Sequence, residues 1–381
     1  MNIYEIITIV VFLFMLYVWH TGKDNNKLFV IGAFLIFLME ALRATHVGGD
    51  TLNYTAFFMG EPCGYGYLYD KIKDLDIEVG YVLVNRFFAF ILQEEWWFIF
   101  ISSCIVMLPI FYMIYKYNFG NKSMSLCMFM TMWGLMVCSV TSLRQNFGIT
   151  FLLIGIYVIY NRPRRKKYLW YLTIMLCAIA ALSCHSSIYL TMPLLIAIYF
   201  IPMNRKIALI SLAICMFVSI FIDNFFGTVV DCLASLTRGL DFLDRTMNYS
   251  GDVLKSGEFG LKKVSFFAVA PYAIFVACFV MLYSKKELAR FENKCLIVGQ
   301  CLYMLGYSFP MVVRAVLGVT IIGIVAVPVA FKQKSPRGIY TFVPMVMMLY
   351  YIYVMFVTFS TWDYSTEGGG SKMLPYEFIW E

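Results

Sequence analysis

The stretch WWFIFISSCIVMLPIFYMIY, residues 96–115, carries no charged side chain over its 20 positions. About 20 consecutive apolar residues are enough for an α-helix to cross the hydrocarbon core of a bilayer. No water reaches the backbone there, so its polar groups must bond within the segment, and a helix achieves this. The stretch therefore predicts a transmembrane helix.

The composition of the whole chain agrees with this local pattern. Of the 381 residues, 61% are hydrophobic and 14% are charged, and the mean hydropathy is +0.76. Soluble domains average roughly 45–50% apolar and about 25% charged residues. The alternating pattern that is typical of outer-membrane β-barrels does not occur in the sequence. We therefore expect an all-α, polytopic integral membrane protein that forms a single membrane domain over residues 1–381.

Apolar runs separated by polar segments predict about 12 transmembrane helices. We expect them at residues 3–20, 28–42, 96–115, 124–140, 143–160, 168–184, 186–202, 207–225, 264–283, 295–309, 312–331 and 338–360.

A further apolar stretch, residues 79–92, is short for a crossing and has Arg86 at its middle. We interpret it as a re-entrant or interfacial helix that does not cross the bilayer. A crossing helix is the alternative, and it would move the segment before it to the other side of the membrane.

Clusters of Lys and Arg predict which loops face the cytoplasm, and NRPRRKK at residues 161–167 is the strongest cluster. If the stretch 79–92 does not cross, three segments lie outside. They are a loop at 43–95 that contains the short helix, a large loop at 226–262 and a C-terminal tail at 361–381.

The charge and the cysteines exclude several classes of function. The net charge of +7 comes from short clusters between spans, where basic residues set topology, so no nucleic-acid partner is expected. Most of the 11 cysteines lie inside apolar runs, where they act as small apolar residues. No P-loop and no His/Cys metal spacing occurs. We therefore predict no metal and no cofactor, although an Asp-bound divalent ion remains an alternative.

Polar and charged residues gather at the predicted outer ends of the spans. Such residues at a membrane tend to mark function. Each has a simpler interpretation when taken alone, because arginines at helix ends extend to the headgroups and aspartates favour turns. The residues that share the predicted outer side are Arg43, His46, Asp50, Tyr54, Asp74, Asp76, Glu78, Arg144, Gln145, His185, Ser186, Ser187, Arg238, Arg245 and Arg314.

Several arginines on one side of a membrane suit the binding of phosphate. Arginine presents a planar fork of donors that matches phosphate oxygens two at a time. A nearby carboxylate or imidazole can take a proton from a hydroxyl group. Together these groups suit the transfer of a group away from a lipid-linked pyrophosphate.

Five motifs, in order along the chain, resemble those of the EpsG/Wzy-type bacterial polysaccharide polymerases. The segment RATHVGGDTLNY (43–54) resembles their R…G-[TS]-D-T-x-x-Y, and EVGY (78–81) resembles E-P-G-Y/F. LRQNFG (143–148) is similar to L-R-Q-x-[IL]-A with Gly148 in place of Ala. CHSSI (184–188) matches their H-x-S turn, and Arg314 lies where the family has a late arginine. LPYEF (374–378) also fits.

This resemblance implies a glycosyltransferase with a GT-C-like helical fold in the bacterial inner (cytoplasmic) membrane. Such enzymes polymerise undecaprenyl-pyrophosphate-linked oligosaccharide repeat units and have an active site that faces outside. They move the growing chain from its lipid carrier to the non-reducing end of the next lipid-linked unit. The implied partners are the lipid-linked oligosaccharide, the lipid bilayer and a chain-length regulator protein.

The resemblance and the chemistry together assign candidate roles. The candidate catalytic residues, as base or sugar-orienting group, are Asp50, Glu78 and His185. The candidate pyrophosphate-binding residues are Arg43, Arg144 and Arg314. Further substrate contacts are expected from Tyr54, Gln145 and Ser187.

Four alternatives remain open from the sequence. A flippase or transporter for lipid-linked oligosaccharide needs polar residues near the midplane and both faces, whereas here they concentrate on one side. A membrane O-acyltransferase would use His185 as its base and needs a cytoplasmic route for the acyl donor. A structural subunit leaves the arginines unexplained. A ligase uses the same donor as a polymerase, and the sequence does not separate the two.

Overall fold

The computed structural model describes most of the chain as helices. The described residues are 2–23, 26–45, 47–48, 51–60, 78–136, 139, 142–162, 167–221, 265–307, 310–332, 338–361 and 378. Within these ranges the regular structure is α-helical apart from one short 3-10 helix and an isolated β-bridge. The all-α prediction is therefore confirmed for the described part of the chain.

The chain divides into two compact units. Unit 1 contains Met1–Met192, Ile324–Pro336 and Met348–Glu381, and unit 2 contains Pro193–Gly323 and Arg337–Met347.

Unit 1 holds the first eight helices. They are α1 (Ile3–Thr21), α2 (Asn26–Ala41), α3 (Thr51–Met59), α4 (Val79–Ile91), α5 (Glu95–Tyr117), α6 (Lys122–Thr131), α7 (Leu143–Tyr160) and α8 (Lys167–Cys184). α6 packs against α1 and α2, α5 packs against α2 and α7, and α8 packs against α7 and α4. The 3-10 helix Val329–Lys332 returns to this unit and contacts α1.

Unit 2 is built around one central helix. The helix α9 (Ile188–Phe200) begins in unit 1 and continues into unit 2. The others are α10 (Arg205–Phe221), α11 (Phe266–Leu282), α12 (Lys285–Leu288), α13 (Phe291–Leu305), α14 (Pro310–Gly323) and the first part of α15 (Ile339–Thr361). α13 packs against α10, α11 and α14, so it forms the centre of this unit.

Five of the described helices are long and apolar enough to cross a bilayer. They are Ile3–Thr21, Glu95–Tyr117, Leu143–Tyr160, Lys167–Cys184 and Ile339–Val357. Shorter apolar helices are Val79–Ile91, Ile188–Phe200, Phe266–Leu282 and Val312–Gly323. The protein is thus a multi-pass membrane protein, while the count of 12 crossings and the GT-C-like class stay predictions.

The predicted span 124–140 is not one continuous helix, which corrects the sequence prediction. α6 ends at Thr131, and the backbone then turns through two left-handed residues, Trp133 (φ 55°) and Gly134 (φ 63°). A left-handed pair interrupts the hydrogen-bond ladder of an α-helix. The prediction failed because a glycine in an apolar run does not by itself reveal such a break.

The predicted span 312–331 also ends early. α14 stops at Gly323, and an irregular segment leads to the 3-10 helix Val329–Lys332. Proline lacks an N–H and its ring crowds the carbonyl four residues earlier in a helix, so Pro328 disfavours a continuous helix here and cannot donate to the Ile324 carbonyl. The Ile324 carbonyl instead accepts a hydrogen bond of 2.5 Å from Ser125 Oγ.

Two short helices lie in the predicted outer loop 43–95. The helix expected at 79–92 is confirmed as α4, and whether it crosses the bilayer stays a prediction. The other helix, α3, was not expected from the sequence. Residues 61–77 between them, including Asp74 and Asp76, lie outside the described residues.

Candidate active site

Glu78 connects three segments that are distant in the sequence. It is the residue that precedes α4, and its side chain does not cap that helix. Its Oε2 accepts a hydrogen bond from Arg144 Nη1 at 3.3 Å, and its Oε1 accepts one from the backbone N–H of Ser186 at 2.9 Å. The start of α7 and the turn between α8 and α9 therefore meet at one carboxylate.

The turn between α8 and α9 has a defined hydrogen-bond pattern around His185. The backbone N–H of Ser187 donates to His185 Nδ1 at 3.1 Å, and Ser187 Oγ lies 2.8 Å from the same nitrogen. A nitrogen that accepts a backbone N–H has a free lone pair and carries no proton. The Ser187 N–H contact therefore favours the tautomer with its proton on Nε2.

Two glycines allow the helices around the site to approach closely. A Cβ at Gly80 on α4 would lie 2.6 Å from the carbonyl oxygen of Ser183 on α8. A Cβ at Gly148 on α7 would lie 2.8 Å from Cγ1 of Ile188 and 3.1 Å from the carbonyl oxygen of Ala181. Contacts this short leave no room for a side chain, so both glycines set the distance between the elements that carry Glu78, Arg144 and the turn.

Aromatic rings pack beside this site. Tyr81, on α4, has its ring centroid 5.8 Å from that of Tyr54, 5.7 Å from that of Phe57 and 5.7 Å from that of Phe147. Such centroid distances are typical of favourable aromatic pairs. Tyr54 is 3% exposed, so it belongs to a packed cluster that joins α3, α4 and α7.

Arg43 lies in a different environment, at the end of α2. Its Nη1 donates to Glu40 Oε2 at 2.6 Å and to the Glu40 backbone carbonyl at 3.1 Å. Both residues are 1% exposed. The backbone of Arg43 also forms an antiparallel bridge with Phe378, which joins this point to the C-terminal segment. The pair is thus fully enclosed by protein.

The remaining predicted site residues divide into three groups. Ser187 lies at the turn, and Gln145 is buried on α7 next to Arg144. Arg314 lies exposed on α14 in unit 2, and the other described candidates lie in unit 1. The residues Asp50, His46, Arg238 and Arg245 lie outside the described residues. The structure therefore brings Glu78, Arg144, His185 and Ser187 together.

Sequence reasoning missed two partners of these residues. Glu40 went unnoticed within an apolar run, although a carboxylate three positions before an arginine on a helix signals an ion pair. The backbone N–H of Ser186 carries no signal in the sequence, because every residue except proline has one. Among the described residues, no group of three His, Cys, Asp or Glu side chains is placed to hold a metal ion.

Comparisons with known proteins identify the family. Neither the curated proteins nor the solved structures give a match to this chain. The model of the EpsG family matches residues 26–378, which is nearly the whole chain and includes every predicted site residue. The chain therefore belongs to the EpsG family, a family of Wzy-type polysaccharide polymerases.

Proposed function

We propose that this protein is a membrane glycosyltransferase that polymerises undecaprenyl-pyrophosphate-linked oligosaccharide repeat units on the non-cytoplasmic face of the bacterial inner membrane. Family membership supports a polymerase in surface polysaccharide biosynthesis. The observation that carries the proposal within the site is the Glu78 carboxylate, which holds Arg144 beside the His185 turn.

Arg144 is our candidate for the group that binds the pyrophosphate of the donor. The guanidinium is about one-fifth exposed and is anchored through Nη1 to Glu78. A fixed arginine stabilises negative charge that develops on a leaving pyrophosphate, and it needs no reorganisation when the bond breaks. In this proposal Glu78 is a positioning residue, because both of its oxygens already accept hydrogen bonds.

His185 suits the role of hydrogen-bond donor better than that of base. In this proposal Nδ1 accepts the Ser187 N–H, and Nε2 carries the proton and donates. A donor of this kind can bind a phosphate or sugar oxygen of the substrate. Asp50 is then our candidate for the base that activates the acceptor hydroxyl, as the family motif around it suggests. Arg314 and Gln145 stay candidate substrate contacts.

Arg43 is our candidate for a structural rather than a substrate-binding arginine. Its side chain is enclosed and bonded to Glu40, so a phosphate would have to displace a buried partner. The chain-length regulator implied by the resemblance stays a prediction.

The test supplies the purified chain with a defined undecaprenyl-pyrophosphate-linked oligosaccharide and separates the products by size. A polymerase converts the substrate into a ladder of products that differ by one repeat unit. A flippase, an acyltransferase or a structural subunit produces no ladder. A single product after addition of a different acceptor would instead identify a ligase and would overturn the proposal.

A further inference from the structure

A cavity of about 360 Å³ opens between α3 and α4 in unit 1. This volume lies at the lower end of the range of about 300–1,000 Å³ that ligand pockets occupy. Apolar side chains form most of its wall, and two polar side chains reach it. The lining includes Phe58, Met59, Arg86, Ala89, Phe90 and Gln93.

The helix that carries Arg86 also has an exposed apolar face. Its opposite face, with Tyr81 and Val82, is buried against the protein. The exposed large apolar residues of α4 recur at helical spacing, and they are Val79, Leu83, Phe87, Phe90 and Ile91. Phe90 is 87% exposed and also lines the cavity. An apolar helix face next to an arginine is complementary to a lipid, whose chain packs on the face while its phosphate meets the cation.

The same helix connects this cavity to the candidate active site. Glu78 directly precedes α4, and Arg86 follows it by eight residues. At 1.5 Å per residue, the two positions are separated by about 12 Å along the helix axis. A phosphate at Arg86 and one at Arg144 would therefore belong to two different lipid molecules.

We propose that the cavity between α3 and α4 binds the pyrophosphate of a second lipid-linked substrate, the acceptor. This inference rests on the proposed function, because polymerisation brings two pyrophosphate-linked lipids to one site. Arg86 and Gln93 bind the pyrophosphate, and the exposed face of α4 packs against the prenyl chain. The donor pyrophosphate binds at Arg144.

Binding of undecaprenyl pyrophosphate to the purified full chain tests the proposal directly. Native mass spectrometry counts the bound molecules, and titration gives the affinity of each site. We expect two equivalents for the natural sequence. Arg86→Gln removes the guanidinium group, whereas Ala89→Trp fills the cavity and keeps the charge of Arg86. Each variant should weaken binding at one of the two sites at least tenfold.

Two matched variants serve as controls. Leu176→Trp adds the same indole to an exposed position of α8, which does not line the cavity. Arg162→Gln removes an arginine elsewhere, whose guanidinium stacks on Trp170. Both should keep two equivalents. One equivalent for the natural sequence, or equal loss in Leu176→Trp and Ala89→Trp, would overturn the proposal.

Excess phosphatidylglycerol distinguishes the acceptor from bulk lipid. The second equivalent should remain bound, whereas its loss would identify a general phospholipid site and overturn our assignment. When a preformed lipid-linked polymer is the donor and a single lipid-linked repeat unit is the acceptor, Ala89→Trp should raise the KM for the acceptor at least tenfold and leave the KM for the donor within twofold. If the natural chain binds two equivalents but forms no ladder, the proposed polymerase function is refuted and the second binding site stands. If it forms ladders but binds only one equivalent, the second binding site alone is refuted.

Discussion

Oε2 of Glu78 lies 3.3 Å from Nη1 of Arg144, although 66 positions separate the two residues in the sequence. Each side chain is about one-fifth exposed. Ion pairs that water reaches stabilise a protein by about 0–1 kcal/mol, so this pair adds little to the stability of the fold. The pair instead orients Arg144, because it fixes the guanidinium beside the His185 turn.

Arg144→Ala should lower kcat/KM for ladder formation by about 100-fold or more, which is the usual loss when one fixed donor to developing charge is removed. Arg144→Lys should retain part of the activity because it keeps the charge but loses the planar fork.

Glu78→Gln keeps an oxygen that accepts the Ser186 N–H, and its kcat/KM for ladder formation should fall about tenfold. If Glu78→Gln were as inactive as Arg144→Ala, Glu78 would be the base rather than a positioning residue.

His185→Asn should fold like the natural sequence but lose most of its activity. An asparagine oxygen can take the place of Nδ1 and accept the Ser187 N–H, which is 3.1 Å from that nitrogen, while the donor at Nε2 is lost. His185→Ala should also lower the thermal unfolding temperature, because the Ser187 N–H loses its acceptor. Ladder formation and unfolding of both variants would be compared. Full activity in His185→Asn would show that Nε2 has no role.

Gly148→Ala should destabilise the protein by about 1–3 kcal/mol, as overpacking usually does. The added Cβ would lie 2.8 Å from Ile188 Cγ1 and 3.1 Å from a backbone oxygen that cannot move aside easily. Gly155→Ala on the same helix is the control, since its Cβ would meet only Cys177 Cβ at 3.4 Å. It should be neutral or stabilising by about 0.5–1 kcal/mol, because alanine favours a helix over glycine. Thermal unfolding in detergent measures both, and equal effects would contradict the close approach.

Glu40→Ala should destabilise the protein by about 3–5 kcal/mol, because it breaks the buried ion pair with Arg43. The double variant Glu40→Leu/Arg43→Met replaces both charges by apolar groups of similar size, and we expect most of the stability to return. If Arg43 only stabilises the fold, the double variant should also regain ladder formation. A stable double variant without activity would show that Arg43 binds the substrate.

The sequence predicts the helices of this protein better than it predicts how they end. The stretch 96–115 is uniformly apolar, and α5 spans Glu95–Tyr117. The break after Thr131 depends on left-handed backbone at Trp133, and hydrophobic periodicity carries no information about φ. Pro328 follows the other break and cannot donate a helical hydrogen bond, but Pro109 lies inside α5 without ending it, so a proline alone does not locate such a break.

The site was predictable in part for a similar reason. Glu78, Arg144 and His185 stand out as polar residues at the ends of apolar runs, and the structure brings them together at one turn. The pairing of Arg43 with Glu40 depends on which face of α2 is buried, and that face is set by the neighbouring helices. The need for a glycine at position 148 is visible only in the contact with Ile188.

The broken helix α6 has a consequence for how the chain enters the membrane. All ten of its residues are buried, and its length of about 15 Å covers only half of a hydrocarbon core that is about 30 Å thick. A helix that is covered by protein on every side gains little free energy by moving into the lipid by itself. We expect α6 to integrate only after α1, α2 and α5, its packing neighbours, have assembled a groove to receive it, so truncated chains that end after α6 should remain accessible to protease at that helix.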